Sequence, residues 1–586
     1  MIKKPKILNK TPNLTVLHAA KQYGLSEFQA QLVANRTDSV EQLDKILFPQ
    51  LKHIQHPGAL KNIDQAADII AKAIQGNGFI VLATDYDTDG VTSAWVANQA
   101  LQNYFGVDKS RIQHIISERQ TGYGITDEVV QRILNLDGQI DLVISADQGS
   151  SDEPRIQQLK QHGIKVCVTD HHQIPIDGPP ASAACIINPQ QAGCQYDKTV
   201  AGCFVIFLVM TQVRQRLIEH GWIDKETPSL KNLALNVALG TVADSVSLKS
   251  PNNRAIVKAG LQLINNFHSP AWQAMRQLND NQGQAFDAEF LGFQVATRIN
   301  AASRVSDVNT ALKFLQAETI DEAALYLEQL DSDNLNRREQ QEVMLKQAQL
   351  QAQQNYKDSS YSISLKLTGN PGIQGIIASR IGEQYGLPTV AMTDLQDGFL
   401  AGSARGIVAD VDLRQAFQWM SEQNNELFTS MGGHKGAAGC MIPIEQFGSF
   451  QSLFEQAIQN QLGDEAPAPT IETDGELADW QLVPQLIDEI SQLEPFGREW
   501  PKPIFSGRFK LLQQRWVGQT QTHLSCKLQS IGGTILQAIY FNARQDDSEQ
   551  LDITTGQWVQ CAYEPNLNRF AGRTSLQLRL TTLLSA

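Results

Sequence analysis

From about Ile63 the apolar residues fall into two alternating patterns, short continuous runs and stretches with helical spacing. IDQAADIIAKAIQG repeats apolar positions at the helical period and ends in Gly76, which predicts a helix closed by a glycine cap. FIVLAT (79–84) is apolar at almost every position, the pattern of a strand covered on both faces. The alternation continues with helix over TSAWVANQALQNYF, strand over RIQHIIS, helix over DEVVQRILNL, strand over IDLVISAD, helix over EPRIQQLKQHG and strand over IKVCVTD. Strands separated by helices predict a parallel sheet with helices on both faces. Residues 1 to about 50 read as short helices. From Asp321 to Asn355 a polar, glutamine-rich stretch carries leucines at helical spacing and predicts a long helix between domains. A second α/β region runs from about Ser362 to Gln459, and GDEAPAP (463–469) reads as a linker. The last segment is expected to begin with a helix. It then turns β-rich through RFKLLQQRWVG, THLSCKLQS, TILQAIYFN, QWVQCAYEPN and TSLQLRLTTLL, which suits a small barrel such as an OB-fold.

A chain of 586 residues is too long for one hydrophobic core. The pattern divides it into an N-terminal helical segment (1–60), a parallel-sheet domain (61–310), a connecting helix (311–360), a second α/β domain (361–462) and a barrel (470–586). No run of eighteen apolar residues appears, so no membrane span is expected. The lysine-rich start has no apolar stretch behind it, which argues against a secretory signal. Seven scattered cysteines, never spaced as CxxC, read as reduced thiols of a cytoplasmic protein. A net charge of -14 argues against a general nucleic-acid coat but leaves room for a local basic groove.

The chemistry gathers where strands end, the place where open α/β sheets bind ligands. Asp85, Asp87 and Asp89 follow FIVLAT, Asp147 follows DLVISA, and Asp170, His171 and His172 follow IKVCVT. Asp244 closes a further apolar stretch in NVALGTVADSVSL. Clustered carboxylates repel one another and resist desolvation unless a cation neutralises them. Oxygen ligands suit Mg²⁺ or Mn²⁺, and an imidazole nitrogen shifts the preference toward Mn²⁺. A surface loop or helix cap would account for a single Asp-x-Asp, but not for four acidic strand and helix ends with a histidine pair. A calcium loop fails, because no glutamate stands at its twelfth position and a strand precedes it. Two divalent ions at such a site would neutralise a phosphate and acidify water.

DYDTDG, SADQGSS, TDHHQ and GTVADSVSL resemble the four successive motifs of the DHH phosphoesterase superfamily. RQTGYGIT, NPQQ, VAGCFV, TRINAASRVSD, GIIASRIGEQYGLPTVAMT, GSARGI and GGHKGAAG follow in family order. With the β-rich end, they are similar to its branch of bacterial single-stranded-DNA-specific 5′→3′ exonucleases. The resemblance implies an α/β fold in which a parallel-sheet DHH domain and an α/β DHHA1 domain are joined by a long helix and followed by an OB-fold barrel. It implies that Asp85, Asp87, Asp147, His171 and Asp244 hold two Mn²⁺ or Mg²⁺ ions, while Asp89, Asp170 and His172 orient ligands or contact the reacting phosphate. Arg119, Arg298, Asn300, Arg304, Ser379, Arg380, Ser403, Arg405 and His434 would bind the strand. Planar guanidinium groups suit phosphate there, and glycines let backbone approach it. Trp516, Tyr540 and Phe570 would stack on bases, as OB-folds allow. The implied product is the 5′-mononucleotide and the implied setting recombination and repair in the bacterial cytoplasm. The implied partners are single-stranded-DNA-binding protein and a RecQ-type helicase, and the chain is expected to be a monomer.

Four positions depart from the family pattern. Ala83 stands where a histidine is common, Asn370 replaces a histidine, Ser303 a glycine and Gln148 an asparagine. None removes a carboxylate, so activity is expected. A relative acting on short RNA, cyclic dinucleotides or pyrophosphate would lack the barrel, and a non-catalytic binder would lack the aspartates.

Overall fold

The first α/β layer is built from strands whose register aligns their ends. In this computed structural model, which describes residues 3–279, 285–544, 551–570 and 573–585, a short strand β1 (Lys6–Asn9) precedes the sheet formed by β2 (Phe79–Thr84), β3 (Ile112–Ile116), β4 (Ile140–Ala146), β5 (Lys165–Thr169) and β6 (Cys185–Ile187). The sheet is wholly parallel, in the order β3-β2-β4-β5-β6. Thr84 pairs with Ala146, and Ala146 pairs with Thr169. Asp85, Asp147 and Asp170 therefore leave the sheet at one level.

Both faces are covered, which explains the unbroken apolar runs. Ile80 and Leu82 pack with Ile70, Val91 and Phe204 on one side, while Val81 and Ala83 pack with Val129, Ile133, Ile156 and Leu159 on the other. The helix Ala234–Ala243 closes over the first side and ends at Asp244.

A 36-residue helix, Ile320–Asn355, leads to the second α/β domain. At 1.5 Å per residue it is roughly 54 Å long. Ala323, Leu327 and Leu330 belong to the first domain's core, whereas Met344, Ala348 and Ala352 belong to the second's. The helix thus needs only one apolar edge, used in two halves. The second sheet contains β7 (Ile363–Leu367), β8 (Thr389–Asp394), β9 (Phe399–Arg405), β10 (Ser430–Gly433) and β11 (Ala437–Pro443). Its order is β10-β11-β9-β8-β7, with only the β7–β8 pair parallel.

The last segment opens not with a helix but with β12 (Thr470–Thr473), which pairs in parallel with β1. The N-terminal segment is therefore not wholly helical. Four-residue strands carry too little periodicity to declare themselves, and their partners lie at opposite ends of the chain. Arg36 fixes this junction, its Nη1 and Nη2 donating to Asp474 Oδ1 and Oδ2 at 2.8 and 2.9 Å in a buried pair. β13 (Phe505–Val517), β14 (His523–Gln529), β15 (Ile535–Tyr540), β16 (Trp558–Phe570) and β17 (Arg573–Ser585) then close a barrel in the order β13-β14-β15-β17-β16. Five strands closed in this way make an OB-type barrel. Among the described residues no helix is long and apolar enough to cross a membrane. The seven cysteines are all free thiols, and only Cys194 is not fully buried.

Candidate active site

The turn after β2 sets the first aspartates. Asp85 is buried, and Asp87 caps the helix Thr88–Gln99, its Oδ1 accepting from the amides of Asp89 (2.8 Å) and Gly90 (3.2 Å). Gly90 is required, because a Cβ there would stand 2.2 Å from the Asp85 carbonyl oxygen. Asp147 adopts φ +62°, in the left-handed region that aspartate tolerates better than most non-glycine residues. Its amide donates to the Thr169 carbonyl at 3.0 Å, and its carbonyl accepts from Tyr123 Oη at 2.9 Å. Against it lies Gly202, where a Cβ would meet Asp147 Oδ1 at 2.6 Å.

Around His171 the strand ends converge. Its Nε2 lies 3.2 Å from Asp147 Oδ1, 3.6 Å from Asp244 Oδ2 and 3.7 Å from Asp89 Oδ2. Three overlapping groups offer ligand atoms within 4.8 Å of one another: Asp85, Asp87 and Asp147; Asp89, His171 and Asp244; and Asp147, His171 and His172. Burial first, and then mutual repulsion, holds Asp85, Asp147 and Asp244 well above the ordinary carboxylate range and raises Asp87 as well. Asp85 Oδ1, Asp147 Oδ1 and His171 Nε2 are buried without hydrogen bonds. Orphaned oxygen and imidazole atoms among like charges are the donor set a divalent cation fits.

The three residues expected to orient ligands are placed differently from one another. Asp89 accepts from the amides of Gly202 (2.7 Å) and Cys203 (2.9 Å), at the start of the helix Gly202–Glu219. Asp170 lies behind the histidines, where Oδ1 accepts from the His171 amide (2.7 Å) and His172 Nδ1 (2.8 Å), and Oδ2 accepts from the Ser150 amide (3.0 Å). Burial opposes its charge, but the His172 hydrogen bond and the charge of both histidines hold it below the usual range. In return, and against its own burial, His172 rises to about 9.

Two more residues secure His172. Tyr123 Oη lies 2.7 Å from its Nδ1, and Asn188 Nδ2 donates to its carbonyl at 2.8 Å. Neither was singled out from the sequence, although both stand inside motif stretches, Tyr123 between two glycines and Asn188 just after β6.

The expected strand-binding residues are spread over both α/β domains, and His434 of the second lies close enough to His172 of the first to feel its charge. Arg119 stacks 4.2 Å over the Tyr86 ring, its Nε buried without a hydrogen bond. His434, on the exposed turn between β10 and β11, is lowered by partial burial and by the charges of Arg498, Arg405 and His172. Ser403 pairs with Gly439 across β9 and β11, and Arg405 Nη1 donates to the Ala404 carbonyl at 2.8 Å. Arg405 presses on Gly375, where a Cβ would lie 2.5 Å from its Nη2. Arg304 donates to the Gly372 carbonyl. Ser379 Oγ donates to the Gly375 carbonyl at 3.2 Å, and Arg380 is exposed.

Other expected residues are engaged within the protein. Arg298 Nε and Nη2 both lie 2.8 Å from Asp331 Oδ1 on the long helix. Asn300 Oδ1 accepts from the amide and hydroxyl of Thr88, each at 2.9 Å. Trp516 is half-buried beneath Arg544, 4.0 Å over its ring, and Tyr540 is half-buried; the Phe570 side chain lies outside the described residues. Arg337, which the sequence reading passed over, is buried beside the positive charges of Arg338 and Arg380, hydrogen-bonded to Asn334 and Gln341. Only its place in a polar helix marks it in the sequence.

The departures have structural accounts. Ala83 packs in the apolar core beside Val129. Asn370 Nδ2 ties the Arg304 carbonyl (3.2 Å) to Gln340 Oε1 (3.1 Å). Ser303 Oγ donates to the Asn300 carbonyl at 3.1 Å, and Gln148 Oε1 accepts from Ser117 Oγ at 2.8 Å.

Comparison with known proteins agrees with this arrangement. The chain matches the models of the DHH family N-terminal domain (79–241), the DHHA1 domain (358–460) and the RecJ OB domain (473–582). It is 33% identical over 556 residues to the single-stranded-DNA-specific exonuclease RecJ of Haemophilus influenzae, covering 93% of this chain and 94% of that protein. Its identity to RecJ of Escherichia coli is 31% over 538 residues, covering 89% of each. The crystal structure of RecJ with Mn²⁺ from Thermus thermophilus shares the fold, with a TM-score of 0.79 at 24% identity over 100% of this chain and 80% of that one. A further crystal structure, of exonuclease RecJ bound to manganese, has a TM-score of 0.56 at 28% identity over 69% of this chain and 96% of that one. With this identity carried along nearly the full length of both chains, the protein belongs to the RecJ family.

Proposed function

We propose that the chain degrades single-stranded DNA from its 5′ end and releases 5′-mononucleotides by metal-dependent phosphodiester hydrolysis. The observation that carries this reading is the convergence of Asp85, Asp147, Asp244 and His171, with orphaned ligand atoms on Asp85, Asp147 and His171, close to a second domain whose His434 feels the charges of His172 and Arg405. Asp85, Asp87, Asp147, His171 and Asp244 would hold the ions. Bound there, divalent cations supply Lewis-acid charge that neutralises a phosphate and acidifies water.

The chain's own groups do the positioning. Asp170 and Tyr123 keep a proton on His172 Nδ1, leaving Nε2 for a phosphate oxygen. Arg119, Arg405, Ser403 and His434 grip the terminal 5′ phosphate, and Arg304 and Arg380 follow along the strand. Planar guanidinium groups favour this doubly bonded contact. Asp89, Arg298 and Asn300 hold the helices that carry the site. The reading assigns catalysis to residues 61–310 and substrate grip to 361–462, with 311–360 as the connecting helix. It assigns strand binding to 470–586, including Trp516 and Tyr540, and packing to 1–60.

The family resemblance extends the reading to a monomer in the bacterial cytoplasm that works in recombination and repair beside single-stranded-DNA-binding protein and a RecQ-type helicase. Pull-down with each purified partner checks that part. Release of mononucleotide from 5′-labelled single strands, with Asp147→Ala as the inactive control, tests the activity. A phosphodiesterase of short RNA or cyclic dinucleotides is the second reading, and the closed barrel disfavours it.

A further inference from the structure

The strap Phe496–Trp500, between β12 and β13, is fastened to the first domain beside Asp244. The Arg498 carbonyl accepts from the Leu248 amide at 2.9 Å, and Ser247 Oγ donates to Glu499 Oε2 at 2.6 Å. At Gly497 a Cβ would stand 2.7 Å from Leu248 Cδ1, so the strap packs closely on that side chain. Behind the strap, Arg254 is buried, stacks 4.4 Å over Trp500, and donates to the carbonyls of Leu493 (2.9 Å) and Pro495 (3.0 Å). The strap is a fixed part of the catalytic domain's surface.

One arginine rises from it into open space. Arg498 is exposed, and its Nη1 donates to the carbonyl of Ser245, next to Asp244, at 3.3 Å. Among the described residues no carboxylate lies within ion-pair distance of its guanidinium. Its charge acts on Asp244 of the first domain and on His434 of the second. Here a cleft of about 790 Å³ begins, running between the catalytic domain and the barrel, with Phe293 and Phe541 exposed along it. Four acids line it, Asp287, Glu289, Glu494 and Glu564; Lys502 engages Glu289 and Glu564, and Arg579 adds a further contact to Glu289. Of the three cations that line the cleft, Lys502, Arg579 and Arg498, only Arg498 makes no ion pair among the described residues, and it stands where the cleft meets the acidic cluster. An exposed guanidinium on a fixed strap, with no carboxylate in ion-pair contact, is suited to a phosphate.

We propose that Arg498 binds the backbone phosphate on the 3′ side of the scissile linkage, where single-stranded DNA passes from the acidic cluster toward the barrel. This rests on the exonuclease reading for the direction of the strand. Binding of a fluorescent oligothymidylate is measured in the full chain carrying Asp147→Ala, which blocks cleavage. Arg498→Gln is expected to weaken binding about tenfold and to lower the salt slope of the affinity by about 0.7, the share of one single-strand phosphate. Arg498→Lys keeps most of the slope, and unchanged thermal midpoints show that both variants fold. One neutral methylphosphonate, moved along the strand, should weaken binding to the Arg498 protein at a single position and leave the Arg498→Gln protein indifferent there. An unchanged affinity and slope, or equal losses for both proteins at every position, would overturn the assignment. Should the wild-type chain cleave no strand while this coupling appears, the exonuclease reading fails and the phosphate contact stands.

Discussion

The hydroxyl oxygen of Tyr123 lies 2.7 Å from Nδ1 of His172. Its proton goes to the Asp147 carbonyl at 2.9 Å, so the oxygen accepts from Nδ1–H, which Asp170 also accepts at 2.8 Å. Tyr123 is thereby a positioning residue for His172 and a strut under Asp147. Tyr123→Phe is expected to lower kcat about 3–10-fold with KM little changed, the usual worth of one shared hydrogen bond. Asp170→Asn, which removes a charged partner, should cost at least tenfold more. Steady-state kinetics on a 5′-phosphorylated oligonucleotide separates the two.

The like charges around His171 make stability depend on metal. Mn²⁺ at a hundred times its dissociation constant should stabilise the wild-type chain by about 2.7 kcal/mol, and chelation should remove that gain. Asp147→Asn relieves repulsion among buried carboxylates, so its midpoint in chelator should exceed the wild type's while its Mn²⁺ response shrinks. Thermal melts with and without metal check both signs.

Arg405 and Arg119 carry no carboxylate in ion-pair contact among the described residues and come from the second and first α/β domains respectively. Arg405→Ala should lose about 10–100-fold in kcat/KM on 5′-phosphorylated strands and much less on 5′-hydroxyl strands. Arg405→Lys should recover little, because a point charge does not reproduce the doubly bonded contact. Paired substrates differing only at the 5′ end measure this.

His114 links pH to folding away from the metal cluster. Burial lowers it to about 4, with one hydrogen bond, to Asn98 Oδ1 at 3.1 Å. Unfolded, it titrates near 6.5, so the unfolded chain takes the proton first. The stability it allows is intact above pH 6.5 and is lost as pH falls toward 4, by about 1.4 kcal/mol per unit. His114→Gln should flatten the fall in midpoint between these values relative to wild type.

The sheet and its acidic ends were legible because each depends on local pattern. Runs such as FIVLAT, six residues long and set between helical stretches, suit strands buried on both faces, and the register of Thr84, Ala146 and Thr169 then aligns the aspartates that follow. The pairing of β1 with β12 was not legible, since four residues carry little periodicity and the partners are distant in the chain. Arg298 and Asn300 stand in a motif yet turn to Asp331 and Thr88, a choice decided by side-chain packing that spacing does not encode. Arg498 escaped for the opposite reason: its neighbours Ser245 and His434 belong to other domains and are joined to it only by the fold.

The exonuclease reading is tested most directly by a time course on 5′-labelled and 3′-labelled single-stranded oligomers, with duplex and RNA controls, in Mn²⁺ and in Mg²⁺, and with Asp147→Ala as the blank. Immediate release of labelled mononucleotide from the 5′ label, with single-stranded DNA preferred and the variant inert, is the expected result. Mononucleotide appearing first from the 3′ label, cleavage confined to very short RNA, or equal activity in Asp147→Ala would contradict it.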